Sequence, residues 1–189
     1  MISANTLKEL ILEKVSNLSE TEITDPLSVH NAYAEAITEH ISDNLVINGV
    51  YAGMTTTTPP VVDPLSGSYS WGVSNVVLAG PALYASVTGQ TDPSMAFVAW
   101  KTAIQVGIKT TTFAGQDKTS MVSITPVILA QFTLQMDQDM IILGNFDTVV
   151  GIIATKIVDS IKSTIVSSMV SVGTTLTPGT GTVTFINLE

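Results

Sequence analysis

The stretch from Phe146 to Phe185 constrains the chain most, because its order of elements occurs twice. Val149, Ile153, Ile157, Ile161 and Ile165 fall about one helical turn apart, with Val150 and Val158 beside them. That spacing predicts an amphipathic helix. A polar turn follows from Gly173 to Gly179, and then an alternating strand from Thr180 to Ile186. Tyr33 to Trp71 repeats the order. With an offset of 116 residues, Ile37 falls on Ile153, Ile41 on Ile157 and Leu45 on Ile161. After a two-residue insertion in the first copy, Gly67–Trp71 aligns with Gly181–Phe185. Two readings stand: an internal duplication of a helix–loop–strand unit, or two amphipathic helices that align as any two would. Too few units are present for a solenoid.

Charge narrows the function classes. Only 12% of the residues are charged, the basic seven are all lysine, and the net charge is −9. Arginine is the usual bidentate partner of phosphate and guanine. A chain without it, and this acidic, is expected to bind no nucleic acid and no anionic membrane. With no cysteine there is no disulfide, thiolate metal site or thiol nucleophile. The first residues lack the basic and apolar regions of a signal peptide. No apolar run is long enough for a transmembrane helix. Half of the sixteen acids precede residue 44, and none of the residues between Asp63 and Asp92 is charged. Uncharged tracts of that length favour burial in an assembly.

Along the chain, a first helix carries Leu7, Leu10, Ile11 and Val15, capped by Asn5 or Thr6. A second starts at Asp25-Pro26 and carries Val29, Tyr33, Ile37, Ile41 and Leu45, with Asn48-Gly49 as a possible end signal. Thr55-Thr56-Thr57-Thr58-Pro59-Pro60 excludes helix and reads as an extended edge segment. Ser68–Leu78 reads as strand, with Tyr69, Trp71 and Val73 on one face. Ala82–Val87 is ambiguous. Asp92-Pro93 starts a third helix bearing Phe97, Trp100, Ile104 and Ile108. Residues 110–117 read as loop and Ser120–Ile124 as strand. Thr125-Pro126 is expected to open a fourth helix with Ile128, Leu129, Phe132 and Met136. Asn145 or Asp147 caps the last helix.

The expected fold is therefore α+β: a helical bundle with short antiparallel strands at one end. Three regions are delimited: a helix pair with an extended segment and strand (1–80), a central helix–loop–strand linker (81–122), and a C-terminal helix pair with the strand repeat (123–189).

Sites with chemistry are weak. His30 and His40 lie ten residues apart on one helix and begin no metal motif. Glu35, Glu39 and Asp43 step along the same helix, as a cation site or as a solvated face. No serine has glycine two residues away on both sides, so no nucleophile elbow is present. Asp137 and Asp139 read as a helix terminus, and Gly179-Thr180-Gly181 precedes a strand rather than a phosphate-binding helix. Trp71 and Trp100 could stack on a sugar or pack in a core.

The run Ala36-Ile37, Ile41, Asp43-Asn44 and Val46, then Thr55–Pro60, then Pro64-Leu65-Ser66-Gly67, resembles structural proteins of tailed-bacteriophage virions: head, neck and tail accessory proteins. The stretch Thr174–Val183 has the same character. The resemblance covers most of the chain through style and order of elements, and it transfers no catalytic residue. It implies a non-enzymatic, ring-forming or trimeric subunit without cofactor, housed in the virion after assembly in the host cytoplasm, with copies of itself and other virion proteins as partners. Thr-rich extended segments would supply backbone for strand addition to a neighbour. The contact residues expected are Thr55, Thr56, Thr57, Thr58, Tyr69, Trp71, Thr174, Thr175, Val183 and Phe185. Two other classes remain open: a carbohydrate-binding or adhesin-like module using Tyr69, Trp71 and Trp100, and a small metal-dependent hydrolase using Glu35, Glu39, His40 and Asp43.

Overall fold

The computed structural model describes residues 1–138, 145–176 and 179–189. Its helices are α1 (Ala4–Ser16), α2 (Pro26–Asn44), α3 (Gly80–Val87), α4 (Pro93–Lys109) and α5 (Phe146–Lys162). Its strands are β1 (Val46–Thr55), β2 (Gly67–Asn75), β3 (Thr112–Gln116), β4 (Val122–Ile128), β5 (Val170–Thr175) and β6 (Gly179–Leu188). The strands close into an antiparallel barrel in the order β1-β2-β3-β4-β5-β6. The expected helical bundle is thus corrected: the organising element is a closed six-stranded barrel, and the helices pack beside it.

Each hairpin of the barrel follows a helix. The chain runs α2 into β1–β2, α4 into β3–β4, and α5 into β5–β6, with α1 and α3 as additions. All three regions delimited from the sequence contribute strands to this one barrel. The aligned positions of the two sequence copies share a burial pattern: Ile37, Ile41 and Leu45 are buried in the first, and Ile153, Ile157 and Ile161 in the second. Trp71 and Phe185 are both inside the barrel, their rings meeting edge to face at 5.9 Å.

The helices form where their caps and periods say they should. Asp25 accepts from the amides of Leu27 and Ser28, Asp92 from Ser94, and Asn145 from Thr148. Each satisfies an amide that the first turn leaves without a partner. The first helix differs: its N-cap is Ser3, which makes no side-chain cap bond. Neighbouring helices pack in the order α5-α1-α2-α3-α4, with α2 against β2 and α5 against β6.

Four local expectations fail. Asn48-Gly49 does not end α2, which stops at Asn44, and the residues belong to β1. The helix expected from Thr125 is the end of β4 followed by an extended segment. Phe132, Leu134 and Met136 are buried there while Gln131, Thr133 and Gln135 are exposed, so the period is two. The Leu134 amide donates to Gln105 of α4 and the Gln135 amide to Ser160 of α5, so the segment ties two helices together. Lastly, α5 ends at Lys162, leaving Ile165 72% exposed beyond it. Residues 112–116, expected as loop, form β3.

Ile157 and Ile161 are completely buried on α5. Replacing either by alanine should cost about 2–5 kcal/mol, as deletions of buried methylenes do. The exposed Lys162 should tolerate alanine within about 0.5 kcal/mol. Urea titrations of the three variants check this, and isoleucines as tolerant as the lysine would show that the register is misplaced.

Candidate functional site: a filled barrel and its outer face

The barrel's interior is built from alternate residues of every strand. Ile47, Tyr51, Trp71, Phe113, Val122, Ile124, Val183 and Phe185 fill it, all 5% exposed or less. The Tyr51 ring needs room, and glycines supply it. A Cβ at Gly173 would lie 2.6 Å from Cδ2 of Tyr51. One at Gly53 would lie 2.0 Å from the Tyr51 hydroxyl. A six-stranded barrel filled this way holds side chains rather than a ligand.

The seams are uneven. β1 and β6 pair along nearly their whole length, from Ile47 with Leu188 to Thr55 with Gly179. β2 and β3 pair only at Val73–Phe113 and Asn75–Thr112. The Ser74 hydroxyl donates to the Thr112 carbonyl across that short seam, and the Trp71 indole reaches past β3 to donate to the Val122 carbonyl of β4 at 3.1 Å. Between β4 and β5 the strands diverge after Ile124, and the Thr125 and Ser171 hydroxyls bridge them at 2.8 Å.

Two buried carboxylates hold loops at the barrel. Asp63, 1% exposed, accepts from the Tyr51 hydroxyl, the Thr175 hydroxyl and the Leu65 amide. Burial, and then the Asp63 charge beside it, raise the Tyr51 hydroxyl above its usual range. Asp117 organises the β3–β4 turn by accepting from the amides of Thr119, Met121 and Val122 and from the Thr119 hydroxyl. Burial pushes its carboxyl up, but these donors outweigh burial and hold it below the ordinary carboxylate range. Asp117 therefore contributes stability that is fully present above the unfolded value of about 3.9 and is lost as pH falls through the lower folded value. Stability measured against pH for the native chain and Asp117→Asn should differ by a constant from pH 5 to 7, and the difference should shrink below about pH 4. A pH-independent difference would contradict this role.

Three of the candidate groups on α2, His40, Glu39 and His30, make structural contacts. His40 is buried, and its Nε2 accepts from the Ser3 amide at 3.2 Å. An accepting Nε2 belongs to the neutral ring, and burial lowers the pKa in the same direction. Glu39 pairs with Lys14 at 2.7 Å on the neighbouring helix. His30 lies by the Pro26 carbonyl, its ring 5.8 Å from that of Tyr84. Among the described residues no group of three or more His, Cys, Asp or Glu could hold a metal ion. No helix among them is long and apolar enough to cross a membrane. Asp139, expected beside Asp137 at a helix end, lies outside the described residues. A concavity of roughly 400 Å³ beside the end of α5 is lined by uncharged residues, among them Gln131, Gln135 and Ser160.

The residues expected to make contacts fall into two groups. Trp71, Val183 and Phe185 are enclosed in the barrel, and Tyr69 is half-buried with its hydroxyl on the Leu65 carbonyl. Thr56, Thr57, Thr58 and Thr174 are exposed, while Thr55 and Thr175 are half-buried. Closure changes what the Thr-rich strands offer. Thr174 and Thr175 pair with Thr180 and Gly179 on one side and with Ser123 and Val122 on the other, so their backbone is not free for strand addition.

What sequence reasoning missed is the outer face of β5, β6 and β1. Register places Val170, Thr184 and Val50 in one row, Val172, Thr182 and Ala52 in the next, and Thr174, Thr180 and Met54 in a third. All nine are exposed. Val62 extends the third row through its bridge to Met54. None of these residues carries a charge. No protein family model, curated protein or solved structure matches the chain.

Proposed function

We propose that this protein is a non-enzymatic structural subunit of the kind found in the head, neck or tail of tailed-bacteriophage virions, assembling with copies of itself and with neighbouring virion proteins. The observation that carries the reading is a filled barrel beneath an uncharged, apolar outer face. Aromatic rings occupy the space where a barrel would otherwise hold a ligand. The buried Asp63, Asp117 and His40 each hold backbone in place. What remains for function is surface. Exposed Val50, Met54, Val62, Val170 and Val172 lie together, the usual mark of a protein contact.

The carbohydrate-binding reading loses its main residue, since Trp71 is enclosed. Trp100 is half-buried with its ring edge-on to Tyr33 at 6.1 Å. The metal-hydrolase reading needs His40 turned toward Glu35, Glu39 and Asp43, and its Nε2 is engaged by Ser3.

Sedimentation velocity at micromolar concentration tests the proposal. A defined oligomer or a reversible assembly is expected. A monomer that persists at high salt and binds no hydrophobic dye would overturn it.

A further inference from the structure

We infer that the outer face of β5, β6 and β1 is where a second copy of this chain docks, across a two-fold axis running through the threonine row of β6. This rests on the self-assembling reading above and adds the surface and the symmetry. A two-fold pair takes the place of the ring or trimer implied by the resemblance.

Shape comes first. On one side of the threonine row, Val170 and Val172 stand outward as a ridge, 62% and 52% exposed. On the other side, Ala52, Met54 and Val62 line a shallow groove with Thr180 and Thr182, floored by Gly53 and Gly181. A two-fold axis along β6 exchanges the two sides. Each copy's valine ridge then lies over its partner's groove, the self-complementarity that an isologous contact requires.

Charge comes second. Copies of a chain with net charge −9 repel one another at long range, and close approach is least opposed where both faces lack acids. Elsewhere the surface is acidic: Glu9, Glu13, Glu35 and Glu39 lie on α1 and α2. The strongest competing surface is the exposed stripe of Met95, Val98 and Val106 on α4. It is one helix wide, has Lys101 within it and begins at the Asp92 cap.

Size comes third. Strands lie about 4.8 Å apart and rise about 3.3 Å per residue. Three strands by three rows therefore span roughly 14 by 20 Å, about 300 Å² of each copy in plan before the flanking loop is added, so the pair makes a small, reversible contact at the low end of specific interfaces. The closed barrel has no free edge here, so the contact is made by side chains.

The test uses the full chain and two substitutions of outward residues, Val172→Asp on the face and Val106→Asp on α4, with circular dichroism melts to confirm folding. Sedimentation velocity of the native chain should show a dimer. Val172→Asp should weaken it at least about tenfold, since the new acids face the partner across the axis, and Val106→Asp should leave it unchanged. Because the chain has no cysteine, Thr182→Cys provides an independent reading: a short bis-maleimide should link two copies through this residue, and Thr102→Cys on α4 should not link. An oligomer insensitive to Val172→Asp, or broken by Val106→Asp, overturns this face and leaves self-assembly standing. A monomeric native chain overturns both.

Discussion

Replacing Trp71 by alanine should destabilise the protein by about 3–5 kcal/mol, the range for truncating a buried aromatic. Against a total of about 5–15 kcal/mol for a domain, that brings the fold close to its limit. Three losses coincide at this residue. Its ring is fully enclosed, so truncation leaves a cavity that the rigid barrel wall cannot collapse to fill. It meets Phe185 at 5.9 Å and Tyr69 at 6.2 Å. Its indole N–H holds the Val122 carbonyl at the start of β4, tying β2 to a strand with which it does not pair. Trp71→Phe keeps most of the volume and loses only the hydrogen bond, so it should cost less than half as much. Urea unfolding followed by tyrosine fluorescence and circular dichroism measures both variants. A loss below about 1 kcal/mol for Trp71→Ala would show that this side chain is not in the barrel's core.

Asp63→Ala should rank next, at on the order of 3 kcal/mol or more. The carboxylate accepts from two hydroxyls and an amide, and the fully buried Tyr51 hydroxyl deprived of its acceptor alone costs about 1–3 kcal/mol, to which the half-buried Thr175 and Leu65 bonds add. Its partners come from three places in the chain: Tyr51 on β1, Leu65 in the β1–β2 loop, and Thr175 at the end of β5. The bond to Thr175 joins residues 112 apart in sequence. Losing it should loosen the barrel end where Thr175 of β5 meets the loop before β2. Chemical denaturation gives the magnitude, and hydrogen exchange at Tyr51 and Thr175 gives the place. Unchanged stability would mean that the side chain faces solvent.

How much was legible follows from the same residues. Helices α1, α2, α4 and α5 announce themselves because their apolar residues recur every three or four positions and because Asp25, Asp92 and Asn145 stand where caps are needed. Strands β2 and β6 alternate openly through Tyr69, Trp71 and Val73 and through Val183 and Phe185. β1 and β5 do not, and the barrel explains why. Their inward positions include Gly49, Gly53 and Gly173, kept small because Tyr51 and Phe185 occupy the space in front of them. The period-2 signal therefore vanishes where packing is tightest, and in β5 the apolar residues Val170 and Val172 point outward instead. The segment after β4 misled for a different reason. Leu129, Phe132 and Met136 fit a helical spacing, and only Leu134 shows that the true period is two. Closure itself has no local signal, since β1 pairs with a strand near the far end of the chain. The lack of charge that marks the outer face was visible in composition. Which residues share that face depends on register, which composition does not contain.

The central claim is that the first and last strands meet and leave no sheet edge. Nuclear Overhauser contacts in the isotopically labelled protein test this directly. The account predicts cross-strand backbone contacts between Tyr51 and Val183 and between Gly49 and Phe185, alongside those of the β1–β2 and β5–β6 hairpins. Hairpin contacts without any between β1 and β6 would show an open sheet and contradict the barrel.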